Sequence, residues 1–194
     1  MAISTPAAAK VLSHEQYMAE EPVYRRYDII EGVRIFMAGA SWRHQRILIW
    51  ILQLLLGYEM ASGRGRALAA PFDVLIRRVP RLQTRQPDEL FISHEALALG
   101  GGAPAKGPLE VAPELVVEII SDNETAERFD DKAADYCAIG VRECWRVWPE
   151  TRVVDVLRLA PEGAVLAATY AETQSLTSII FPDLTVPVAS FFKS

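Results

Sequence analysis

Residues 113–121 read PELVVEIIS, an apolar run bounded by Pro113 and Ser121 with one carboxylate, Glu118, in its middle. A short apolar run between turn residues predicts a buried strand. Side-chain alternation puts Glu118 on the same face as Val116 and Ile120. If both faces of the strand are covered, the carboxylate loses its hydration, at a cost of several kcal/mol unless a partner compensates.

The flanking segments supply candidate partners. Upstream, PDELFIS (87–93) predicts another strand, with Asp88 on the face of Leu90 and Ile92. Pro87 cannot donate to a ladder, which places Asp88 at a strand start or kink. Downstream, 122–140 has an acidic, cap-rich start and Gly140 as its stop, predicting a helix. At about 100° per residue, with Phe129 at 0°, its apolar arc runs from roughly 280° to 80°. Lys132 falls at about 300°, inside that arc, while Arg128, Asp131 and Asp135 lie outside it at about 200–260°. The chain has lysines only at 10, 106, 132 and 193, so an inward-facing one stands out.

Further out, SHEQYMAEE (13–21) predicts a short helix with Ser13 and Gln16 as a capping box. Residues 25–39 predict a hairpin turning at Glu31-Gly32, and 41–62 a long buried helix ended by Gly63. Extended runs at 66–70 and 72–77 lead through a polar turn to 87–93. Residues 94–112, rich in Gly, Pro and Ala, predict a surface loop after one helical turn. ECWRVW, RVVDVLRL, AVLAATYA and SLTSIIF follow as strands, and VASFFK as a last short helix. No internal repeat or long linker interrupts the chain, so residues 1–10 are expected as a flexible arm and 11–194 as a single α/β domain.

The 194 residues suffice for a substantial core. Apolar residues make up 51% and charged residues 23%, which excludes wholesale disorder. A formal net charge of −5 provides no basic footprint for non-specific nucleic-acid binding, though arginine-rich patches stay compatible with a local groove. Cys137 and Cys144 cannot build a disulfide framework or a four-ligand zinc site, and fit a reducing cytoplasm. MAISTPAAAK does not read as a signal peptide. The apolar run 47–58 is far below the roughly 20 residues of a membrane span.

Asp88, Glu118 and Lys132, each inward-facing and on consecutive core elements, suit one kind of chemistry. Two carboxylates at about 2.0–2.1 Å from Mg²⁺, with waters completing the octahedron, make a hard-cation site. Such an ion acidifies a water and offsets charge on a phosphoryl oxygen, and a nearby Lys orients or deprotonates the water. Singly, each residue has an ordinary explanation: Asp88 a turn or cap, Glu118 paired with an Arg, Lys132 snorkelling.

PDELFI, PELVVEIIS and KAADYCAIGVRECWRV together, with YDIIEGVRIFMAGASWRHQRI upstream, resemble the Uma2 family of restriction-endonuclease-like proteins in order and spacing, from about Leu12 to the C-terminus. The resemblance implies a restriction-endonuclease-like α/β fold: a mixed central β-sheet flanked by helices, with an added β-meander. It implies a metal-dependent phosphodiesterase site of the PD-(D/E)xK kind, with Asp88 and Glu118 as metal ligands. In that superfamily a Lys usually lies two residues after the Glu, where this chain has Ile120. The resemblance therefore implies that the Lys has moved to the next helix as Lys132. It aligns Glu31 with an early acidic position that adds a water-mediated metal contact; a place as the first residue of a Glu-Gly turn accounts for it equally well. His44 matches the family's helix-opening His, a structural hydrogen bond being its simpler role, and Tyr136 is expected to pack. Where the family has S-P-S/T after the strand, this chain has SDNET, whose Asp122 and Glu124 weaken the expected affinity for DNA.

The expectation is a Mg²⁺- or Mn²⁺-dependent endonuclease cutting DNA phosphodiester bonds, with Asp88, Glu118, Lys132 and Glu31 at its catalytic site. RNA stays open as a substrate. The partners expected are DNA and a second copy in a homodimer, with no membrane, in the cytoplasm. The alternative is a non-catalytic nuclease-fold module for interaction or dimerisation, which the acidic net charge favours.

Overall fold

The computed structural model describes residues 10–121 and 125–193; all but the last residue of the expected N-terminal arm, and Asp122 and Glu124, lie outside them. The chain enters through α1 (His14–Ala19), whose capping box is formed: the Ser13 hydroxyl accepts from the Gln16 N–H at 3.2 Å, and the Gln16 side chain accepts from the Ser13 N–H at 2.9 Å. β1 (Tyr27–Ile30) and β2 (Val33–Phe36) form the expected hairpin. Its turn needs left-handed backbone at Glu31 (φ 50°) and Gly32 (φ 79°), and a Cβ on Gly32 would meet Val11 Cγ1 at 2.7 Å. α2 (Trp42–Ser62) is capped by the Ser41 hydroxyl and closed by Gly63 at φ 61°.

β3 (Gly65–Ala69), β4 (Val74–Arg77), β5 (Gln83–Arg85) and β6 (Glu89–Ser93) follow, then α3 (His94–Leu99) and β7 (Leu115–Ile119). α4 (Ala126–Ile139), capped by Thr125 and stopped by Gly140 at φ 95°, crosses to β8 (Glu143–Trp148). β9 (Val153–Ala160), β10 (Gly163–Ala171), β11 (Ser175–Thr177), β12 (Thr185–Pro187) and a 3₁₀ helix (Val188–Phe192) complete the chain.

Six strands form the central sheet in the order β10-β9-β8-β7-β6-β3. Only β7 and β8 pair in parallel, as the intervening α4 requires; the other neighbours are antiparallel. The expected meander, β8-β9-β10, is therefore half of the central sheet. One face packs on α2 and the 3₁₀ helix through Ile51, Leu55, Phe91, Val117, Trp145 and Phe191. The other packs on α4 and β4 through Leu90, Ile92, Val116, Phe129, Ala133 and Tyr136. Every residue of β7 is buried, so the strand that opened the sequence analysis is covered on both faces.

Two expectations are corrected, and one strand is new. The polar turn before 87–93 holds β5, which joins a second sheet in the order β2-β1-β5-β4. Its residues are polar yet buried, because neighbouring carboxylates satisfy them. The strand expected at 175–181 ends at Thr177: the Ser178 hydroxyl and the Ile179 and Ile180 N–H groups turn inward to donate to Glu143 at 2.9, 2.7 and 3.0 Å. β12, which pairs with β11, was not anticipated at all. Among the described residues no helix is long and apolar enough to cross a membrane.

Candidate active site

Strand alternation sends Glu118 to the α4 side of the sheet, and α4 meets it there. The Lys132 ammonium donates to Glu118 Oε2 at 2.7 Å and the Tyr136 hydroxyl to Oε1 at 2.5 Å. Lys132 and Tyr136 are four residues apart and so lie on one helix face; both are buried, at 5% and 1% exposure. Tyr136 thus does more than the packing expected of it. Burial, and then the charge of Glu118, push its phenol well above the usual range and keep it a donor.

Asp88 lies just ahead of β6, beside β7. Its Oδ2 accepts the Ile119 N–H at 2.6 Å, so the residue after Glu118 anchors it. Its Oδ1 accepts from the Arg26 guanidinium and lies 3.3 Å from His44 Nε2. Burial alone would raise the Asp88 pKa. The His44 hydrogen bond, the Arg26 charge and the Ile119 N–H outweigh it and hold the group down at about 2. Arg26 also donates to the Gln86 carbonyl at 2.7 Å. Burial opposes its charge, and Asp88 and then Glu118 more than offset that. One guanidinium is thus shared between the fields of both carboxylates.

Asp88, Lys132, Arg26 and His44 line a cleft of about 1130 Å³, with Asp28, Arg85, Ile119 and Ile120. Among the described residues, six Arg and Lys side chains line it against four carboxylates, in a chain of net charge −5. Ile120, at the superfamily's usual Lys position, is apolar wall. Two orphaned nitrogens stand at the carboxylates: among the described residues, Arg26 Nε and His44 Nδ1 are buried without a hydrogen-bond partner.

Glu31 is not brought here. It occupies the β1–β2 turn, its carboxylate is ion-paired with Arg77 and more than half exposed, and it does not line the cleft. The early acid that does line it is Asp28, 3% exposed, held by Arg85 Nη1 at 3.0 Å and the Gln86 N–H at 3.0 Å. Neither Asp28 nor Arg26 was among the residues expected at the site. A carboxylate between Tyr27 and Ile29 in a buried strand is the same signal that singled out Glu118.

Two carboxylates from neighbouring strands are hard oxygen donors, suited to Mg²⁺, which usually takes one or two carboxylates and keeps several waters. All four of their oxygens already accept from the protein, so a cation would exchange with Arg26 and Lys132 for them. Among the described residues no group of three or more His, Cys, Asp or Glu is placed as a metal cage. The donor set fits a water-rich cation held by two carboxylates, not an all-protein cage.

No curated protein matches the chain. Among solved structures, a "putative nuclease belonging to DUF820" from Anabaena variabilis ATCC 29413 is similar, with a TM-score of 0.74. Sequence identity is 15%, over 93% of this chain and 97% of that one, so the likeness is one of fold, and it bears out the mixed α/β architecture. The family model described as "Putative restriction endonuclease" matches residues 14–189, nearly the whole chain, and the protein belongs to that family, Uma2.

Proposed function

We propose that the protein is a divalent-cation-dependent endonuclease that hydrolyses phosphodiester bonds of DNA, with Asp88 and Glu118 holding Mg²⁺ or Mn²⁺ and Lys132 assisting the attacking water. The observation that carries the proposal is that Asp88 and Lys132, both buried, line one cationic cleft, and that the buried Glu118 carboxylate accepts from Lys132 at 2.7 Å. When bound, the ion would supply the charge that acidifies a water and offsets the phosphoryl oxygen. Tyr136 and the Ile119 N–H keep Glu118 and Asp88 oriented. Arg26 gives up its hold on Asp88 and turns to the phosphate, a bidentate anion that suits a guanidinium. Lys132, released from Glu118, donates a hydrogen bond to the oxygen of the attacking water and orients it; as that oxygen bonds to phosphorus the P–O bond to the leaving oxygen breaks, the water's proton passing to solvent and the leaving oxygen taking one from solvent. Glu31 takes no part, because its side chain is held at the hairpin turn by Arg77.

In this proposal the protein works in the cytoplasm, where the buried thiols of Cys137 and Cys144 stay reduced. It works as a homodimer, and β10, an outer edge of the central sheet with Val165 64% and Leu166 53% exposed, supports that reading. One observation favours the alternative of a non-catalytic module: both carboxylates are already fully satisfied by the protein's own donors.

A melting series with and without Mn²⁺, together with plasmid, linear DNA and RNA as substrates, separates the two. Wild type should melt higher with the ion, by the equivalent of about 2.7 kcal/mol at a hundredfold excess over Kd. Asp88→Asn and Glu118→Gln should lose both that shift and cleavage, and Lys132→Ala cleavage alone. Absence of any shift in the wild type would leave the non-catalytic module; cleavage undiminished in Lys132→Ala would remove its role.

A further inference from the structure

The cleft's cations are not equivalent. Arg26, Arg43, Arg85 and Lys132 are each tied to a carboxylate: Asp88, Glu150, Asp28 with Asp135, and Glu118. Arg25 and Arg128 are not. Among the described residues neither guanidinium has an ion pair; both are exposed, and Arg25 lies over the Phe36 ring at 4.6 Å. They come from two elements, the segment ahead of β1 and the first turn of α4. Two unpaired cations are few for a duplex-binding surface, which usually spends 6–10 contacts on phosphates. The net charge of −5 offers little elsewhere.

Aromatic side chains stand beside these cations. Tyr24 lines the cleft next to Arg25 and is 91% exposed. Trp42, at the first turn of α2 between the cleft-lining Ser41 and Arg43, is 83% exposed. Among the described residues no ring contact engages either of them. Large aromatic faces left open beside a cationic groove are what unpaired bases stack on, and each such stack contributes about 1–3 kcal/mol whatever the base. In an intact duplex the base faces are already occupied by their neighbours.

We infer that the cleft takes a nucleic-acid strand with unpaired bases, Arg25 and Arg128 holding its phosphates while Tyr24 and Trp42 stack on its bases. The inference rests on the phosphodiester reading above, and names the substrate that site would act on: a single strand, a flap or a frayed end. Six cations against four carboxylates give the cleft the charge complementarity the strand requires. Four of the six are set on carboxylates, three of them on the cleft's own, which limits the hold on phosphate to a short stretch.

The test is binding, measured without any divalent ion so that it does not depend on catalysis. Fluorescence anisotropy compares a labelled oligo-dT strand with a hairpin duplex of the same length, using the full chain between about 50 and 200 mM salt. The strand should bind at least tenfold tighter. Tyr24→Ala and Trp42→Ala should each weaken it by at least about fivefold. The slope of log K against log salt should lie near −1.4, as for about two phosphates on a single strand, and Arg25→Ala with Arg128→Ala should flatten it. All four side chains are exposed, so the variants are expected to fold, and melting curves check that. Equal or tighter binding of the hairpin, or strand binding indifferent to both aromatic substitutions, overturns the inference. So does a Trp42→Ala loss that merely follows dissociation of a dimer, read by light scattering on the same samples. Selective strand binding by a protein that cuts nothing would instead sink the catalytic reading and leave this one standing. Metal-dependent cutting of duplex by an unimpaired Tyr24→Ala, Trp42→Ala double variant would do the reverse.

Discussion

Glu118 and Glu89 sit on neighbouring strands, each 1% exposed, and meet burial by different means. Glu118 faces α4 and is held by Lys132 and Tyr136. Glu89 faces α2, and among the described residues neither of its oxygens has a hydrogen-bond partner, although the main chain of Leu52 lies beside it. Burial, and then the charge of Asp88, push its pKa well above the carboxylate range, so it stays neutral. A neutral carboxyl with no partner in an apolar layer is a net cost, and an apolar side chain of similar length removes it. Glu89→Met should raise stability by about 1–2 kcal/mol, seen as a rise of roughly 2–8 °C in Tm; a lower Tm would mean that Glu89 makes a bond that counts. The same contrast explains what was legible residue by residue. Asp88, Glu118 and Lys132 were readable because each breaks an apolar period, and period is a local property. Arg26 is invisible to that rule, since it lies ahead of β1 in a segment with no period to break. Glu31 misled because it carries the right charge at a family position, while the hairpin sends its side chain away from the cleft.

At the scale of elements, α4 shows how far a periodic pattern reaches. Its apolar arc placed Lys132, Tyr136, Phe129, Ala133 and Cys137 on the buried face, and all five are buried. β5 shows where it fails. Gln83, Thr84 and Arg85 are buried with no apolar side chain among them, because Asp28, Asp73 and Asp135 accept from them. Their partners are distant in the chain, so nothing local distinguishes this strand from a polar turn. Asp155 does similar work in the meander β8-β9-β10. From the middle strand it accepts from Arg146 Nη2 and the Trp148 indole N–H on β8, both at 2.8 Å, and from the Thr169 hydroxyl on β10 at 2.7 Å. Burial would raise its pKa, but these three donors outweigh burial and lower it below 3.8. A folded-state pKa below the unfolded one stabilises above the unfolded value and loses that contribution as pH falls through the folded value. Asp155→Asn should therefore cost about 1–2 kcal/mol at neutral pH in urea unfolding. The gap between wild type and variant should close as the pH drops below 3.8, the ordinary value. A gap that persists at pH 2 would assign the loss to packing and not to charge.

For the molecule as a whole, the central sheet was legible because its strands are apolar, but its edges were not, since strand order is set by non-local pairing. The sheet ends at β10 on one side and β3 on the other. β10 is nine residues long, its register shifts between Leu166 and Ala168, and the consecutive Val165 and Leu166 just before the shift are both more than half exposed. A long edge strand offers unpaired N–H and C=O groups to another strand, and proteins that must stay monomeric usually blunt such edges with charge or proline. Here the exposed centre of β10 is Ala164, Val165, Leu166 and Ala167, with neither. Two copies meeting edge to edge across a two-fold axis would each present the same strand to the other, as a closed dimer requires. That geometry would join two central sheets into one and fix the distance between two clefts. Wild type should then run as a dimer in light scattering, and Val165→Lys with Leu166→Lys should run as a monomer at the same concentration. Both side chains are solvent-facing, so Tm should change little beyond what the lost dimer accounts for. A dimer that survives the double substitution would move the interface to the exposed face of α2, where Ile49, Leu56 and Met60 are 40%, 39% and 86% exposed.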